Sequence, residues 1–303
     1  MSLYALLAGK GPSGFGYGST AEDVTAGLSL AGKTILITGC NSGLGHEALR
    51  VLAARGARVV GTARSLDKAK AACAAVSGDT VPLACELADP ASVRACVAAV
   101  KAANLRLDAI ICNAGIMALP KLEQAHGLEL QFFTNHIGHF ILVTGLLEQL
   151  TDTGRVVMLS SAAHKMAPKG GIQFDNLAGV IGYRDWTQYG QSKMANLLFA
   201  KELARRFAGT QKTANAVHPG VIQTNLGRHM NPVAQFFFGL SDKIALKSIP
   251  QGAATEVYVA VHPATAGISG KYFADCNVAT PRADAEDAAL AQRLWQVSER
   301  VNS

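Results

Sequence analysis

Short apolar runs alternate with longer amphipathic stretches along most of the chain. Each apolar run is rich in Val, Ile, Leu and Ala, with few charged positions, and is therefore predicted to be a strand buried on both faces. The predicted strands are residues 34–37, 58–63, 80–85, 107–112, 155–160 and 213–218. The predicted helices between them are about 43–55, 66–76, 90–102, 126–150 and 188–207. Strand and helix in alternation indicate an α/β fold with a parallel sheet covered by helices.

We find no internal repeat and no linker that divides the chain. Residues 1–29, rich in Gly and Ser after a short apolar start, are predicted to be a lead-in segment or a strap over the domain. Residues 30–303 are predicted to form one doubly wound domain that ends in a C-terminal helix. In such folds a ligand binds at the carboxyl ends of the strands.

A glycine-rich turn, Thr-Gly-Cys-Asn-Ser-Gly-Leu-Gly at 38–45, joins the first strand to the first helix. Glycine allows a tight bend, close approach of backbone to a pyrophosphate and close helix–strand packing. The N–H groups of the first helical turn would then face the phosphates. Glycine spacings also recur by chance, so a turn without a ligand is the alternative. The motifs that follow favour a Rossmann-type dinucleotide site.

The end of the second predicted strand bears on which dinucleotide binds. Sites selective for NAD usually place a carboxylate there to bind the ribose hydroxyls. Here Ala63 is followed by Arg64, whose guanidinium could clamp a 2′-phosphate in a bidentate fork. The alternative is a surface arginine that begins a loop. The sequence therefore predicts NADP(H), without excluding NAD(H).

Tyr189 and Lys193 lie four residues apart on a predicted helix and so share one face. A nearby ammonium, together with the positive ring of an oxidised nicotinamide, is expected to lower the pKa of the phenol. The phenol could then exchange a proton with a carbonyl or alcohol oxygen. Ser160 and Ser161, at the end of the fifth predicted strand, would bring a hydroxyl into the same crevice. Taken alone, such a Tyr–Lys pair is more often structural.

Composition narrows the functional classes. The chain has 303 residues, 49% apolar and 17% charged, as expected of a globular protein. Its net charge of +6 is spread along the chain and only 6% of residues are aromatic, which argues against nucleic-acid binding. The six cysteines form no CxxC pair and indicate a reducing compartment, so we predict a cytoplasmic protein. The apolar start is too short for a membrane span.

Five motifs in order resemble the classical short-chain dehydrogenase/reductase family, over about residues 30–301. They are the glycine turn, Cys-Asn-Ala-Gly at 112–115, Asn135 in its helix, the serine–tyrosine–lysine set, and His-Pro-Gly-Val at 218–221. The resemblance implies a catalytic tetrad of Asn135, Ser161, Tyr189 and Lys193. It implies a cofactor site formed by Tyr189 and Lys193 together with Gly39, Asn41, Ser42, Gly43, Leu44, Gly45, Arg64, Glu86, Leu87, Asn113, Ala114, Gly115, Pro219, Gly220, Val221 and Thr224.

Within that family the chain is similar to the retinol dehydrogenase-like branch. This resemblance implies NADP(H) and a small lipophilic aldehyde, ketone or alcohol as substrate. A substrate lid is expected at about 225–250, with three phenylalanines at 236–238, and the connection from Ser161 to Tyr189 is expected to form a pocket wall. Cys112 replaces an asparagine of the family motif, and Glu86 stands in place of an aspartate. Homo-oligomers are common among relatives.

His136 and His139 are three apart on a helix, but no third ligand is placed, so no metal is expected. Two functions of different class remain open. The first is an NADP(H)-dependent oxidoreductase in which Tyr189 is the general acid and base. The second is a non-catalytic nucleotide-sensing or scaffold protein on the same fold, against which the complete tetrad argues.

Overall fold

The computed structural model describes residues 9–222 and 246–302. A central sheet of eight strands has the order β3-β2-β1-β4-β7-β8-β9-β10, and a separate two-stranded hairpin pairs β5 with β6. The strands are β1 (Thr34–Thr38), β2 (Arg58–Ala63), β3 (Thr80–Ala84), β4 (Leu107–Cys112), β5 (Gln124–Ala125), β6 (Leu128–Glu129), β7 (Leu150–Leu159), β8 (Thr213–His218), β9 (Tyr272–Ala274) and β10 (Asn277–Ala279).

All neighbours in the central sheet pair in parallel except β9 and β10, which are antiparallel. The strand order reverses direction between β1 and β4, and this is where a doubly wound sheet opens a crevice at its carboxyl edge. The predicted α/β fold is therefore confirmed.

The helices cover both faces of this sheet. They are α1 (Gly43–Ala54), α2 (Leu66–Ala74), α3 (Pro90–Ala102), α4 (Leu130–Phe132, Phe133–Ile137 and Gly138–Gly145 in succession), α5 (Asp185–Arg206), α6 (Ile249–Val261) and α7 (Ala288–Asn302). None of the helices within the described residues is long and apolar enough to cross a membrane.

Alternation along β1 shows how one strand serves two hydrophobic cores. Leu36 points into a core shared with α3, α4, α5 and α7, whereas Ile35 and Ile37 point into a core shared with α1, α2 and α6. All three side chains are fully buried. A strand that must satisfy both faces is apolar at consecutive positions, which is why the sequence pattern identified the strands.

One predicted element is wrong. The helix expected over residues 126–150 is instead the β5–β6 hairpin, then α4, then the start of β7. His126 and Gly127 both have positive φ, at 49° and 77°, and so form the hairpin turn rather than a helix. Leu150 pairs with Leu107, so β7 begins five residues before the predicted residue 155.

The other predicted strands and helices begin and end within three residues of the expected positions. The sequence reading missed α6, β9 and β10. Helix α6 begins with a capping box between Ser248 and Gln251 and has Pro250 in its first turn. The N-terminal segment packs along this helix, with the Phe15 ring edge-on to Tyr258. The predicted domain boundary at residue 30 stays a prediction.

Candidate active site

The glycine turn after β1 has the close packing that its sequence predicts. Gly39 has φ of +73°, and a Cβ added there would lie 2.9 Å from the Cβ of Ala114. A Cβ on Gly45 would lie 2.4 Å from both the carbonyl oxygen of Gly39 and the Nδ2 of Asn113. Gly45 therefore serves close packing beneath the turn. Helix α1 starts at Gly43, and its first N–H groups have no partners within the helix.

A cavity of about 290 Å³ opens beside this turn, at the carboxyl ends of β1 to β4. Most of the residues predicted to bind the cofactor line it: Gly39, Asn41, Ser42, Gly43, Leu44, Arg64, Glu86, Leu87, Asn113, Ala114 and Gly115. The lining also includes residues that sequence reasoning did not single out: Cys85, Ala88, Ile116, Leu130, Thr134 and Leu159. These contribute mainly apolar surface next to the motifs, and their residue types carry no separate signal.

A hydrogen-bond chain ties the glycine turn to the catalytic side of the cavity. The Thr38 hydroxyl accepts from the backbone N–H of Ala114 at 3.0 Å and donates to Nε2 of His139 at 2.9 Å. Nδ1 of His139 donates to the carbonyl oxygen of Asn135 at 2.9 Å. Burial lowers the pKa of His139 to about 4, so the ring is neutral and both nitrogens have fixed roles. His139 is therefore a structural link.

Arg64 is exposed at the edge of the cavity where β2 ends. Its guanidinium makes no hydrogen bond or ion pair with the described residues, so its donors are available to an anionic group. Glu86 lines the same cavity, but its carboxylate already accepts from the backbone N–H of Ala88 at 3.1 Å. An arginine with available donors suits a phosphate better than it suits ribose hydroxyls alone.

Tyr189 and Lys193 lie on one face of α5 and are buried, at 7% and 3% exposure. Nζ of Lys193 lies 5.6 Å from the centre of the Tyr189 ring and donates to the carbonyl oxygen of Leu159 at 3.0 Å. Burial raises the pKa of Tyr189 to about 12 and lowers that of Lys193 to about 8. In the protein without cofactor, loss of solvent therefore raises the phenol pKa. The lowering expected from Lys193 together with a bound oxidised nicotinamide stays a prediction.

The structure separates the roles of the two serines after β7. Ser160 is buried, and its hydroxyl donates to the carbonyl oxygen of Lys193 at 2.8 Å. Ser161 is half-buried, and its Oγ accepts from the N–H of Ala163 at 3.1 Å. Its side chain also lowers the pKa of the Tyr189 phenol, against the larger effect of burial. Ser161 is thus the serine that reaches the tyrosine.

Asn135 lies in the π-helical part of α4, Phe133–Ile137, and is fully buried. Its Oδ1 accepts from the N–H of Ile116 at 2.8 Å, and its Nδ2 donates to the carbonyl oxygen of Ile116 and to Oγ of Ser192, both at 2.9 Å. A Cβ added to Gly115 would lie 2.9 Å from this Oδ1 and 3.4 Å from Nζ of Lys193. Two members of the predicted tetrad, Asn135 and Lys193, thus lie beside Gly115, just after the end of β4.

The turn after β8 completes the described part of the site. Gly220 has φ of +95°, and a Cβ there would lie 2.6 Å from Cδ of Lys247. Lys247 is buried, donates its backbone N–H to the carbonyl oxygen of Val221 at 2.9 Å, and pairs with Asp275 at 2.6 Å. Pro219, Gly220 and Val221 do not line the cavity described above. Thr224 and the phenylalanines at 236–238 lie outside the described residues.

The site residues fit a nicotinamide dinucleotide. The turn has no room for side chains at Gly39 and Gly45, unpaired helix N–H groups face the cavity, and a basic side chain stands at its rim. The Nε2 atoms of His136 and His139 hydrogen-bond to side chains of the same chain, Oγ of Ser298 and Oγ1 of Thr38 respectively.

Comparison with known proteins agrees with this geometry. The family model described as short chain dehydrogenase matches residues 33–234. The chain belongs to the short-chain dehydrogenase family. A relative from Brassica napus, named short-chain dehydrogenase TIC 32 B, chloroplastic, is 42% identical to the present chain over 98% of each chain. Retinol dehydrogenase 14 from Homo sapiens is 37% identical over 88% of this chain and 85% of its own. The chain is therefore an oxidoreductase-family protein with retinol dehydrogenase-like relatives.

Solved structures of other proteins share its fold. A crystal structure of a protein from Mycobacterium paratuberculosis has a TM-score of 0.76 and 34% identity, and covers 92% of this chain and 96% of its own. A short chain dehydrogenase from Burkholderia cenocepacia, solved in complex with NADP, has a TM-score of 0.63 and 24% identity over 81% of this chain and 96% of its own. The second comparison shows the fold alone.

Proposed function

We propose that this short-chain dehydrogenase is an NADP(H)-dependent enzyme that interconverts lipophilic aldehydes or ketones and their alcohols. The observation that carries the proposal is that Tyr189 and Lys193 lie on one buried face of α5, with Nζ of Lys193 next to Gly115, a residue that lines the cavity. The free thiols fit a reducing compartment, and the cytoplasm is part of the proposal.

The charges at the site suit proton donation to a carbonyl oxygen. With a pKa of about 12, the Tyr189 phenol keeps its proton at neutral pH and can therefore donate it. With a pKa of about 8, Lys193 is mostly an ammonium at neutral pH, held in place by the carbonyl oxygen of Leu159. When bound, the nicotinamide supplies or accepts the hydride. Tyr189 then transfers the proton, Ser161 stabilises the developing oxyanion, and Lys193 stabilises the phenolate.

The preference for NADP(H) follows from Arg64. Its side chain is exposed at the end of β2, it has no carboxylate next to it in sequence, and it makes no ion pair with the described residues. A bidentate contact with a 2′-phosphate would use donors that the described residues leave available. NAD(H) lacks this phosphate, so its binding would gain nothing from Arg64.

A lipophilic substrate is supported by the relatives and by two exposed apolar side chains near the site. Several relatives with 37–39% identity are retinol dehydrogenases. Met166, on the turn after Ser161, is 52% exposed, and Val221, after β8, is 45% exposed. Neither residue lines the cofactor cavity, but both follow segments of the predicted site, where exposed apolar side chains would suit an apolar ligand.

The alternative is a non-catalytic nucleotide-sensing or scaffold protein. The tetrad argues against it, because a scaffold needs neither a buried phenol paired with Ser161 nor a buried lysine beside it. Turnover of NADPH and NADH against a graded panel of lipophilic aldehydes and ketones, followed by absorbance, tests both functions. We expect NADPH oxidation that rises with substrate chain length and exceeds NADH oxidation. NADPH binding without oxidation of any substrate would favour the alternative, and equal use of NADH would contradict the role of Arg64.

A further inference from the structure

The turn that follows Ser161 is held in place by one of its own side chains and by a second side chain far away in the sequence. We call residues 161–168 the serine turn; it contains the short 3₁₀ helix Ala162–Met166. It lies at the start of the connection from β7 to α5; this connection was expected to form a pocket wall, but none of its residues lines the cavity described above. The Ser161 hydroxyl can reach Tyr189 only while this turn keeps its position, because the hydroxyl is one rotatable bond from the backbone.

His164 holds the turn from within. Its Nδ1 donates to the carbonyl oxygen of Ser161 at 2.6 Å, and its own backbone N–H donates to the same oxygen at 3.0 Å. Its Nε2 accepts from the backbone N–H of Arg282 at 3.1 Å. The imidazole is fully buried and packs edge-on against Tyr272, with ring centres 5.1 Å apart. The neutral ring therefore joins Ser161 to the C-terminal part of the chain.

Arg282 holds the other end of the serine turn. Its guanidinium donates to the carbonyl oxygens of Lys165 at 3.2 Å, Ala167 at 2.6 Å and Pro168 at 2.8 Å. Asp284 fixes the guanidinium through two hydrogen bonds of 2.7 and 2.6 Å. A planar fork that binds several carbonyls at once fixes the backbone more firmly than a single contact would.

The underside of the serine turn rests on α5 at Gly190, the neighbour of Tyr189. A Cβ on Gly190 would lie 2.6 Å from the carbonyl oxygen of Ala163 and 2.7 Å from the N–H nitrogen of Ala167. The turn therefore lies directly on the backbone of the helix that carries Tyr189. Helix α5 below the serine turn, and His164 and Arg282 at its side, together fix where the turn lies relative to the Tyr189 phenol.

We propose that His164 and Arg282 are positioning residues that hold the Ser161 hydroxyl against the Tyr189 phenol, which makes the C-terminal segment part of the active site. The inference rests on the proposed function for its effect on turnover. Arg282 lies beyond residues 33–234, the part matched by the family model. Neither side chain lines the cofactor cavity, so the serine can be displaced without loss of cofactor binding.

The test compares variants that break the contacts to different extents. His164→Leu removes both side-chain contacts, whereas His164→Asn keeps an N–H donor near the position of Nδ1. Arg282→Lys keeps the charge but loses the fork, and it disturbs folding less than a neutral residue would. The matched control is Arg155→Met, since Arg155 also binds backbone carbonyls, at Val259 and His262, but away from Ser161.

We expect His164→Leu and Arg282→Lys to lower kcat by about 10- to 100-fold, because a displacement near 1 Å at a reacting group costs this much. The NADPH dissociation constant should be unchanged, and His164→Asn should recover part of kcat. Arg155→Met should lower stability but not kcat. A loss of NADPH affinity parallel to kcat, or an equal loss of kcat in Arg155→Met, would show a general structural role and overturn the proposal.

A second readout does not depend on turnover. The carbon-13 chemical shift of the Tyr189 Cζ, assigned with Tyr189→Phe, reports the surroundings of the phenol hydroxyl, including the Ser161 side chain. We expect Ser161→Ala and His164→Leu to move this shift in the same direction, and Arg155→Met to leave it in place. If the wild type oxidises no NADPH with any carbonyl, the proposed function fails, yet this shift still decides the positioning role. An unmoved shift in both His164→Leu and Arg282→Lys would overturn it.

Discussion

Replacing Glu256 by methionine should stabilise the protein, and increasingly so as the pH rises. Glu256 lies in the middle of α6, is fully buried, and neither carboxyl oxygen has a hydrogen-bond partner among the described residues. Burial raises its pKa from 4.5 to about 8. A buried carboxyl group without a hydrogen-bond partner destabilises the folded state, because neither its protonated nor its ionised form is well solvated there.

The size of the effect follows from proton linkage. Between pH 4.5 and about 8 the unfolded chain releases this proton while the folded chain keeps it, so stability falls as pH rises. Each pH unit in this window costs about 1.4 kcal/mol, which gives on the order of 4–5 kcal/mol over the window as an upper bound. The missing hydrogen bonds cost a further ~1–3 kcal/mol at any pH.

Urea unfolding of wild type and Glu256→Met from about pH 5 to about pH 8.5 measures this difference, since other titrating groups cancel between the two proteins. We expect Glu256→Met to be more stable by ~1–3 kcal/mol at the acid end and by several kcal/mol more at the alkaline end. The control is Glu202→Met, because Glu202 is also buried but is paired with Arg205 and Arg206, so its loss should destabilise. A stability difference for Glu256→Met that does not change with pH would refute the reasoning.

Three further predictions concern the site. Gly190→Ala should lower kcat strongly, with NADPH binding retained, because the added methyl would displace the serine turn from α5; unchanged kinetics would contradict that packing. Arg64→Leu should raise the KM for NADPH about tenfold or more and leave the KM for NADH unchanged, as expected for the loss of one charged clamp on a phosphate; a parallel rise in both would contradict the assignment. Between pH 6.5 and about 4, the unfolded chain takes up a proton on His139 that the buried ring of the folded chain does not, so stability falls as the pH falls. His139→Gln should reduce this fall in the free energy of unfolding by about 1.4 kcal/mol per pH unit, as measured by urea unfolding. An unchanged dependence of stability on pH would contradict a neutral His139 ring.

The order of strands and helices could be predicted because the sheet is buried on both faces. Strands such as Thr34–Thr38 and Leu107–Cys112 are apolar at consecutive positions and are bounded by glycine or polar residues. The same reasoning failed over 126–150, where apolar residues at helical spacing concealed a hairpin turn at His126–Gly127. It also missed the start of β7, because Thr151, Asp152 and Thr153 are not buried and do not resemble a buried strand.

The main parts of the site were predictable because they carry motifs, whereas the residues that hold them were not. Tyr189 and Lys193 share a helical face, and the glycine turn has a characteristic spacing. By contrast, His164 reaches Arg282 across 118 residues of sequence, and the contacts of both are largely with backbone atoms. Backbone partners do not depend on residue type, so no sequence pattern marks them. The pKa of Tyr189 could not be predicted either, because it depends on how completely α5 is buried.

The central claim is that the Tyr189 phenol transfers the proton in a reaction that uses NADPH. Its most direct test is the turnover of Tyr189→Phe, measured by NADPH absorbance with the best lipophilic carbonyl of the panel, beside the NADPH dissociation constant of the same variant. We expect Tyr189→Phe to retain NADPH binding and to lose turnover by about 10²- to 10⁴-fold, the usual contribution of a positioned acid or base. Turnover equal to that of the wild type would contradict it.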